Sequence, residues 1–229
     1  MPATDRRDRP VNVLLLMHAL FTEETMMHAK GLNKFGMVRA VSNLTELRAA
    51  IAEQSWDLLL AFGTGDIVST DILQTPALCA INVHAAPPSY PGRDPHHFAV
   101  YDGVSQYGAT LHYMTAAVDQ GPIVDAELFS VSVDASPQQL LALGNAAGLR
   151  LVKKFLEEFD LGVPPPENTA YQWARRVRKR KDFLELCRVD AHMSQEEFDR
   201  RLRAASMPGY ANLWTEVYGH RFRVQAPTE

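Results

Sequence analysis

Asn82 and His84 stand two residues apart in INVHAAPPSYPGRDPHH, where an apolar run gives way to a loop crowded with His, Pro, Gly, Arg and Asp. In an extended strand the side chains at i and i+2 share a face, so both point the same way. An imidazole beside a carboxamide suits acyl transfer to an amine. His84 can accept the proton of the attacking nitrogen, while Asn82 offers N–H groups to the oxyanion that grows on the carbonyl. Asp119, in the loop AVDQGPIV, supplies a carboxylate that could orient the imidazole and favour its protonated form. The same residue types also cap backbone in Asx turns, so type and spacing alone leave a structural reading open.

Such a site needs elements to carry it. Val11 to Met17 is a continuous apolar run of the kind expected for a strand buried on both faces, and Thr22 to Leu32 follows as a helix. Leu44, Leu47 and Ile51 recur at helical spacing, with Asn43 or Thr45 as caps, and the apolar run Leu58 to Phe62 comes next. A loop at Gly63 to Asp66 and a short helix near Ser69 to Leu73 lead to a strand over Ala77 to Val83 and a helical stretch from His97 to Tyr101. Tyr107 to Met114 and Ile123 to Val133 alternate as strands. Ser136-Pro137 reads as an N-cap and first helical residue, opening a long helix that ends near Leu161-Gly162. The pattern predicts an α/β domain with a mostly parallel sheet, whose ligands gather at the carboxyl ends of the strands, where Asn82 and His84 emerge.

The run GVPPPEN, Gly162 to Asn168, is a stiff connector, because consecutive prolines fix φ and remove donors. The expected division is a disordered tail over 1–10, a catalytic domain over 11–165 and a small subdomain over 166–229. In the last, Ser194-Gln-Glu-Glu197 forms a capping box for a helix from Gln195 to Ala205, with Met193 and Phe198 as a hydrophobic staple. Leu213 to Tyr218 and Arg221 to Val224, around Gly219-His220, read as a hairpin, giving a small α+β appendage.

With 229 residues and 46% hydrophobic content, the chain can bury one large core plus an appendage. A net charge of −4 argues against bulk electrostatic binding to nucleic acid. Cys79 and Cys187 form neither a CxxC pair nor a disulfide framework, which suits a reducing compartment, and cytoplasm is the expected address. MPATDRRDRP reads as a polar tail rather than a signal peptide, and VNVLLLM is too short to span a bilayer, so a soluble protein without membrane association is expected.

NVHAAPPSYPG, followed by YGATLHYM and VDQGPIV, resembles the folate-dependent formyltransferases in four motif blocks: Asn-x-His, a Pro-x-Tyr-x-Gly-like loop, Gly-x-Thr-x-His and Asp-x-Gly-x-Ile. The resemblance covers roughly Val11 to Val133. It implies a Rossmann-like domain that takes 10-formyltetrahydrofolate as formyl donor, with Asn82, His84 and Asp119 matching the catalytic Asn, His and Asp. By the same resemblance, Phe62, Gly63, Gly65, Ile67 and Val68 border the pteridine pocket together with Val118, Gln120 and Gly121. Tyr90, Arg93 and Asp94 are the implied substrate-binding residues. Arg93 sits two positions later than the arginine that commonly follows this tyrosine in relatives.

The expected acceptor is the amine of a nucleotide-linked amino-deoxysugar. A glycinamide ribonucleotide enzyme would carry a glycine-rich phosphate loop where this chain reads MHALFTEET, and a methionyl-tRNA enzyme would continue into a longer C-terminal barrel. The terminal segment resembles the linker and hairpin shared by tRNA-type and sugar-type enzymes. Other amine acceptors stay open, as do a deformylase, in which water attacks instead, and a non-catalytic binding module. His96-His97, with His84 and His112, matches no zinc spacing, so no metal is expected and exposed or helix-capping histidines are the simpler reading. Arg175 to Lys181 reads as a solvated basic face or else as a contact for a diphosphate or RNA backbone. Tyr210 and Trp214 either stack on a base or fill the hairpin core, and Asp94 either binds substrate or caps a helix. A homodimer through the hairpin is a further expectation.

Overall fold

The computed structural model describes residues 10–160 and 162–224; 1–9, Leu161 and 225–229 lie outside it, and with them all but Pro10 of the expected tail, while the long helix stops at Glu158, short of its expected end near Leu161-Gly162. A six-stranded sheet has the order β2-β1-β3-β4-β5-β6. Its strands are β1 (Val11–Met17), β2 (Phe35–Val41), β3 (Leu58–Phe62), β4 (Cys79–His84), β5 (Gln106–Tyr113) and β6 (Ile123–Ser130). β2, β1, β3 and β4 run parallel, while β5 and β6 join antiparallel.

The apolar runs are continuous because the sheet is covered on both faces. Val13, Leu15 and Met17 of β1, Leu58, Leu60 and Phe62 of β3, and Ile81 and Val83 of β4 share one core with α5 (Pro137–Glu158) and with Ala29 of α1 (Ala19–Gly31). Leu14, Leu16, Leu59, Ala61 and Ala80 alternate onto the other face, against α2 (Leu44–Glu53) and α3 (Thr70–Leu73). Asn43 caps α2 through Glu46 N, and Ser136 with Gln139 forms a full capping box on α5.

β2 has no counterpart in the sequence pattern. It is an edge strand paired only with β1, half-exposed along most of its length, so no apolar run marks it. α6 (Arg180–Leu186) likewise emerges from within the basic run. α4 (Pro95–Asp102), α6, α7 (Gln195–Ala205) and β7 (Trp214–Val217), whose hairpin partner is the exposed β8 (His220–Arg223), share a second core. There Phe98, Tyr107 and Leu140 meet Phe183, Leu186, Ala204 and Trp214. Trp214 thus fills the hairpin's base, its indole N–H donating to the Leu184 carbonyl at 2.8 Å. Among the described residues no helix is long and apolar enough to cross a membrane.

Candidate active site

Alternation along β4 sends Cys79, Ile81 and Val83 into the first core and leaves Asn82 and His84 on the opposite face at the strand's carboxyl end. β5 pairs with β4 so that His112 lies across from Asn82 and Thr110 across from His84. Directly opposed residues on one face meet side chain to side chain. Asn82 Nδ2 is accordingly 3.1 Å from His112 Nε2, and the Thr110 hydroxyl donates to the Ala86 carbonyl at 2.7 Å, holding the chain as it leaves β4.

Asp119 comes from the loop joining β5 to β6. Its backbone is left-handed, φ 48°, a conformation that Asp tolerates better than most residues. Its Oδ2 lies 3.5 Å from His84 Nδ1 and its Oδ1 3.5 Å from His112 Nε2, with the side chain about 8% exposed. Gly92 N–H donates to Oδ2 at 2.9 Å. Burial pushes this carboxyl upward, but the His84 charge, the hydrogen bond and charge of His112 and the Gly92 amide outweigh it, bringing it down to about 2.

The partners set the tautomers. His84 Nε2 lies 2.8 Å from the Tyr90 carbonyl and His112 Nδ1 2.8 Å from the Tyr113 carbonyl; carbonyls only accept, so both nitrogens carry protons. With His112 neutral, its Nε2 accepts one Asn82 N–H, leaving the second N–H of that amide for a ligand; with the ring charged, the same nitrogen instead faces Asp119 Oδ1 at 3.5 Å, the state in which it lowers that carboxyl. His84 Nδ1 is the nitrogen that exchanges a proton: bare it is a base, and protonated it faces the Asp119 carboxylate.

Because the folded Asp119 carboxyl titrates below its ordinary 3.8, its ionisation stabilises the native state above about pH 4, and this contribution disappears as pH falls through about 2. Asp119→Asn should cost on the order of 2 kcal/mol near neutral pH, with the difference from the parent shrinking on acidification. Urea unfolding at a series of pH values checks this; a pH-independent difference would show that the carboxylate's charge contributes nothing.

These groups open into a cavity of about 490 Å³. Asn82, His84, His112 and Asp119 line it, and so do Phe62, Gly63, Gly65, Ile67, Val68 and Val118, together with Arg93 and Asp94. Leu20, Ile67 and Val118 give its walls exposed apolar surface, being 76%, 70% and 46% exposed. Gly63, at φ 71°, allows the loop after β3 to pass the Phe21 ring, which a Cβ would approach to 2.7 Å.

Tyr90, Gln120 and Gly121 are not brought into the lining. The Tyr90 hydroxyl donates to Asp102 at 2.9 Å, and it is the Tyr90 carbonyl that serves the site, through His84. Gly121 packs so tightly on β5 that a Cβ there would lie 1.9 Å from the Tyr113 carbonyl oxygen.

The adjacent histidines are not freely exposed, and His97 satisfies a carbonyl in the last turn of α7, as a helix-capping histidine does. His97 is 5% exposed and donates from Nδ1 to the Ala204 carbonyl at 2.7 Å, tying α4 to α7, while His96 lines the cavity. Burial, reinforced by the neighbouring His97, pushes the His96 imidazole down to about 3, so it is neutral at physiological pH. Among the described residues no group of three or more His, Cys, Asp or Glu could hold a metal ion.

The basic run is more than a solvated face. Arg178 lies over the Phe98 ring at 4.4 Å, and Arg180 over Phe183 at 5.0 Å with a 3.5 Å contact to Asp94. Its backbone bridges to the loop at Gly92, where a Cβ would come within 2.1 Å of the Arg178 carbonyl oxygen.

His112 and Trp173 are the site residues that a reading centred on Asn82, His84 and Asp119 misses. The period-two pattern of YGATLHYM held the signal for His112, since it shares a face with Thr110. Trp173 carried no local signal.

A family model described as formyl transferase matches residues 21–150. The methionyl-tRNA formyltransferase of Cereibacter sphaeroides is 27% identical over 182 residues, covering 78% of this chain and 58% of the relative. The chain spans roughly half to two thirds of the length of the curated relatives it matches. Among solved structures, a likely sugar N-formyltransferase from Mycobacterium tuberculosis aligns with a TM-score of 0.73 at 21% identity, over 96% of this chain and 98% of that one. The N-formyltransferase of Helicobacter canadensis, solved with folinic acid and dTDP-3-aminofucose, aligns at 0.64 and 14% identity, over 91% and 85%. At these identities the structural likeness establishes the shared fold.

Proposed function

The chain belongs to the formyl transferase family, and from that premise we propose that it moves a formyl group from 10-formyltetrahydrofolate to the amine of a nucleotide-linked amino-deoxysugar. The observation that carries this reading is the convergence of Asn82, His84 and Asp119 on one cavity that also has apolar wall. Leu20, Ile67 and Val118 suit the aromatic body of a folate, and the loop from Gly63 to Val68 suits the pteridine. The donor supplies an electrophilic formyl carbon.

The chain's residues do the rest. The free N–H of Asn82 meets the formyl oxygen as it gains negative charge, and its donation to His112 keeps the amide aimed. His84 Nδ1 takes the proton that the acceptor amine loses on bonding to the formyl carbon. It then delivers a proton to the folate nitrogen that gives that carbon up, so charge and protons balance. Asp119 steadies the protonated ring. Arg93 and Asp94 border the same cavity and are proposed for the acceptor.

The sugar acceptor is favoured by a likeness in fold that extends over nearly the whole of the Mycobacterium tuberculosis structure, and by the dTDP-3-aminofucose bound in the Helicobacter canadensis one. An aminoacyl-tRNA acceptor is the second reading, favoured by the curated sequence relatives. Incubation with 10-formyltetrahydrofolate and a panel of nucleotide-linked amino sugars and aminoacyl-tRNA tests both. A formyl-sized mass gain on a sugar, lost in His84→Ala, is expected; folate release with no labelled acceptor would overturn the sugar and tRNA readings in favour of a deformylase or an acceptor outside the panel.

The same proposal divides the chain into a catalytic domain over 11–165 and a subdomain over 166–229 docked on it. It includes a reducing cytoplasmic setting, which suits the buried free thiols Cys79 and Cys187. It also includes a homodimer through the hairpin, where Tyr218 and Phe222 are exposed.

A further inference from the structure

Trp173 lies outside the span matched by the family model and outside the motifs that located the cluster, yet it packs against both histidines. Its ring stands edge-on to His112, with centroids 5.0 Å apart and planes at 90°, and to His84 at 6.1 Å and 62°. Its indole N–H donates to the Gly121 carbonyl at 2.8 Å. Gly121 is also pressed against Tyr113, so the loop carrying Asp119 is held both by β5 and by Trp173.

The segment bearing Trp173 is itself anchored. Ala174 N–H donates to the Pro88 carbonyl and Arg178 N–H to the Pro91 carbonyl, both at 2.9 Å, and the Tyr171 hydroxyl reaches the Ala126 carbonyl at 3.3 Å. The clamp is therefore held to the loop after β4 and to β6, the two flanks of the site.

We propose that Trp173 is a positioning residue for the catalytic cluster: its indole shields the His84–His112 pair from water, and its N–H pins the loop that aims Asp119 at both imidazoles. Excluding water strengthens the carboxylate's hold on the rings, because charges interact more strongly in a low dielectric. An indole is needed because phenylalanine offers the ring but no N–H. Only the kinetic readout of this proposal rests on the function proposed above.

The test compares full-length Trp173→Phe and Trp173→Ala with the parent. In Trp173→Phe, kcat should fall about tenfold with KM for the formyl donor changed less than about twofold, as expected when reacting groups are slightly misplaced. The Asp119 carboxyl, followed by carbon-13 NMR, should titrate about half a unit or more higher, since the unpinned loop loosens its contact with both rings. Trp173→Ala should deepen the loss of kcat as water enters and weakens the contacts between the carboxylate and the rings.

A parental kcat and parental Asp119 titration in Trp173→Phe would overturn the proposal, even if its thermal midpoint drops. The NMR titration needs no acceptor. An unchanged titration therefore sinks the positioning role, whereas a shifted titration without formyl transfer to any acceptor sinks the proposed function and leaves the positioning role standing.

Discussion

His84→Ala should lower kcat/KM for formyl transfer by about a hundred- to ten-thousand-fold, the range associated with a lost general acid–base. The variant removes the nitrogen that faces Asp119 and leaves the Tyr90 carbonyl without its 2.8 Å donor. Leaving that acceptor unpaired costs about 1–3 kcal/mol of stability, small beside the kinetic loss and visible as a modestly lower unfolding midpoint. Steady-state rates with a turned-over acceptor, set beside thermal unfolding, separate the two effects. His84→Gln sharpens the comparison, because an amide can donate a hydrogen bond but cannot shuttle a proton. Parental turnover in either soluble variant would remove His84 from the chemistry.

Asn82→Ala is the second large effect, with kcat expected to drop by about a hundred- to a thousandfold, or about 2.7–4 kcal/mol of transition-state stabilisation. In the proposed mechanism the amide's free N–H acts where negative charge develops, so KM for the formyl donor should change little while kcat falls. The substitution also strips the neutral His112 Nε2 of its 3.1 Å donor. Asn82→Asp is the informative companion: it is nearly isosteric but would set a carboxylate against the nascent oxyanion, and should be at least as slow as the alanine variant. Single-turnover rates measure both; an Asn82→Ala rate within a few-fold of the parent would mean that the oxyanion is stabilised elsewhere.

The local signals were legible in the chain wherever a few neighbouring residues suffice. The runs at Val11–Met17 and Leu58–Phe62 announce strands buried on both faces, and Ser136 and Ser194 announce helices whose N-terminal amides they satisfy. The two-residue spacing of Asn82 and His84 places them on one face whatever the rest of the molecule does. The ordered motif blocks indicated the family that the match over 21–150 bears out.

What folding alone supplied is long-range. Register across the antiparallel β4–β5 pair sets His112 opposite Asn82, and a one-residue slip would have turned it into the other core. Loop closure at Gly121, not the position of Asp119 in the chain, delivers the carboxylate between two imidazoles. β2 and α6 escaped a pattern-based reading because half-exposed edges and short charged helices carry little periodicity. Trp173 reaches the site because the segment after the proline connector bonds to the loop after β4 and to β6. Periodicity and capping are encoded within one or two turns of chain, whereas register and docking depend on the summed burial of elements far apart in sequence.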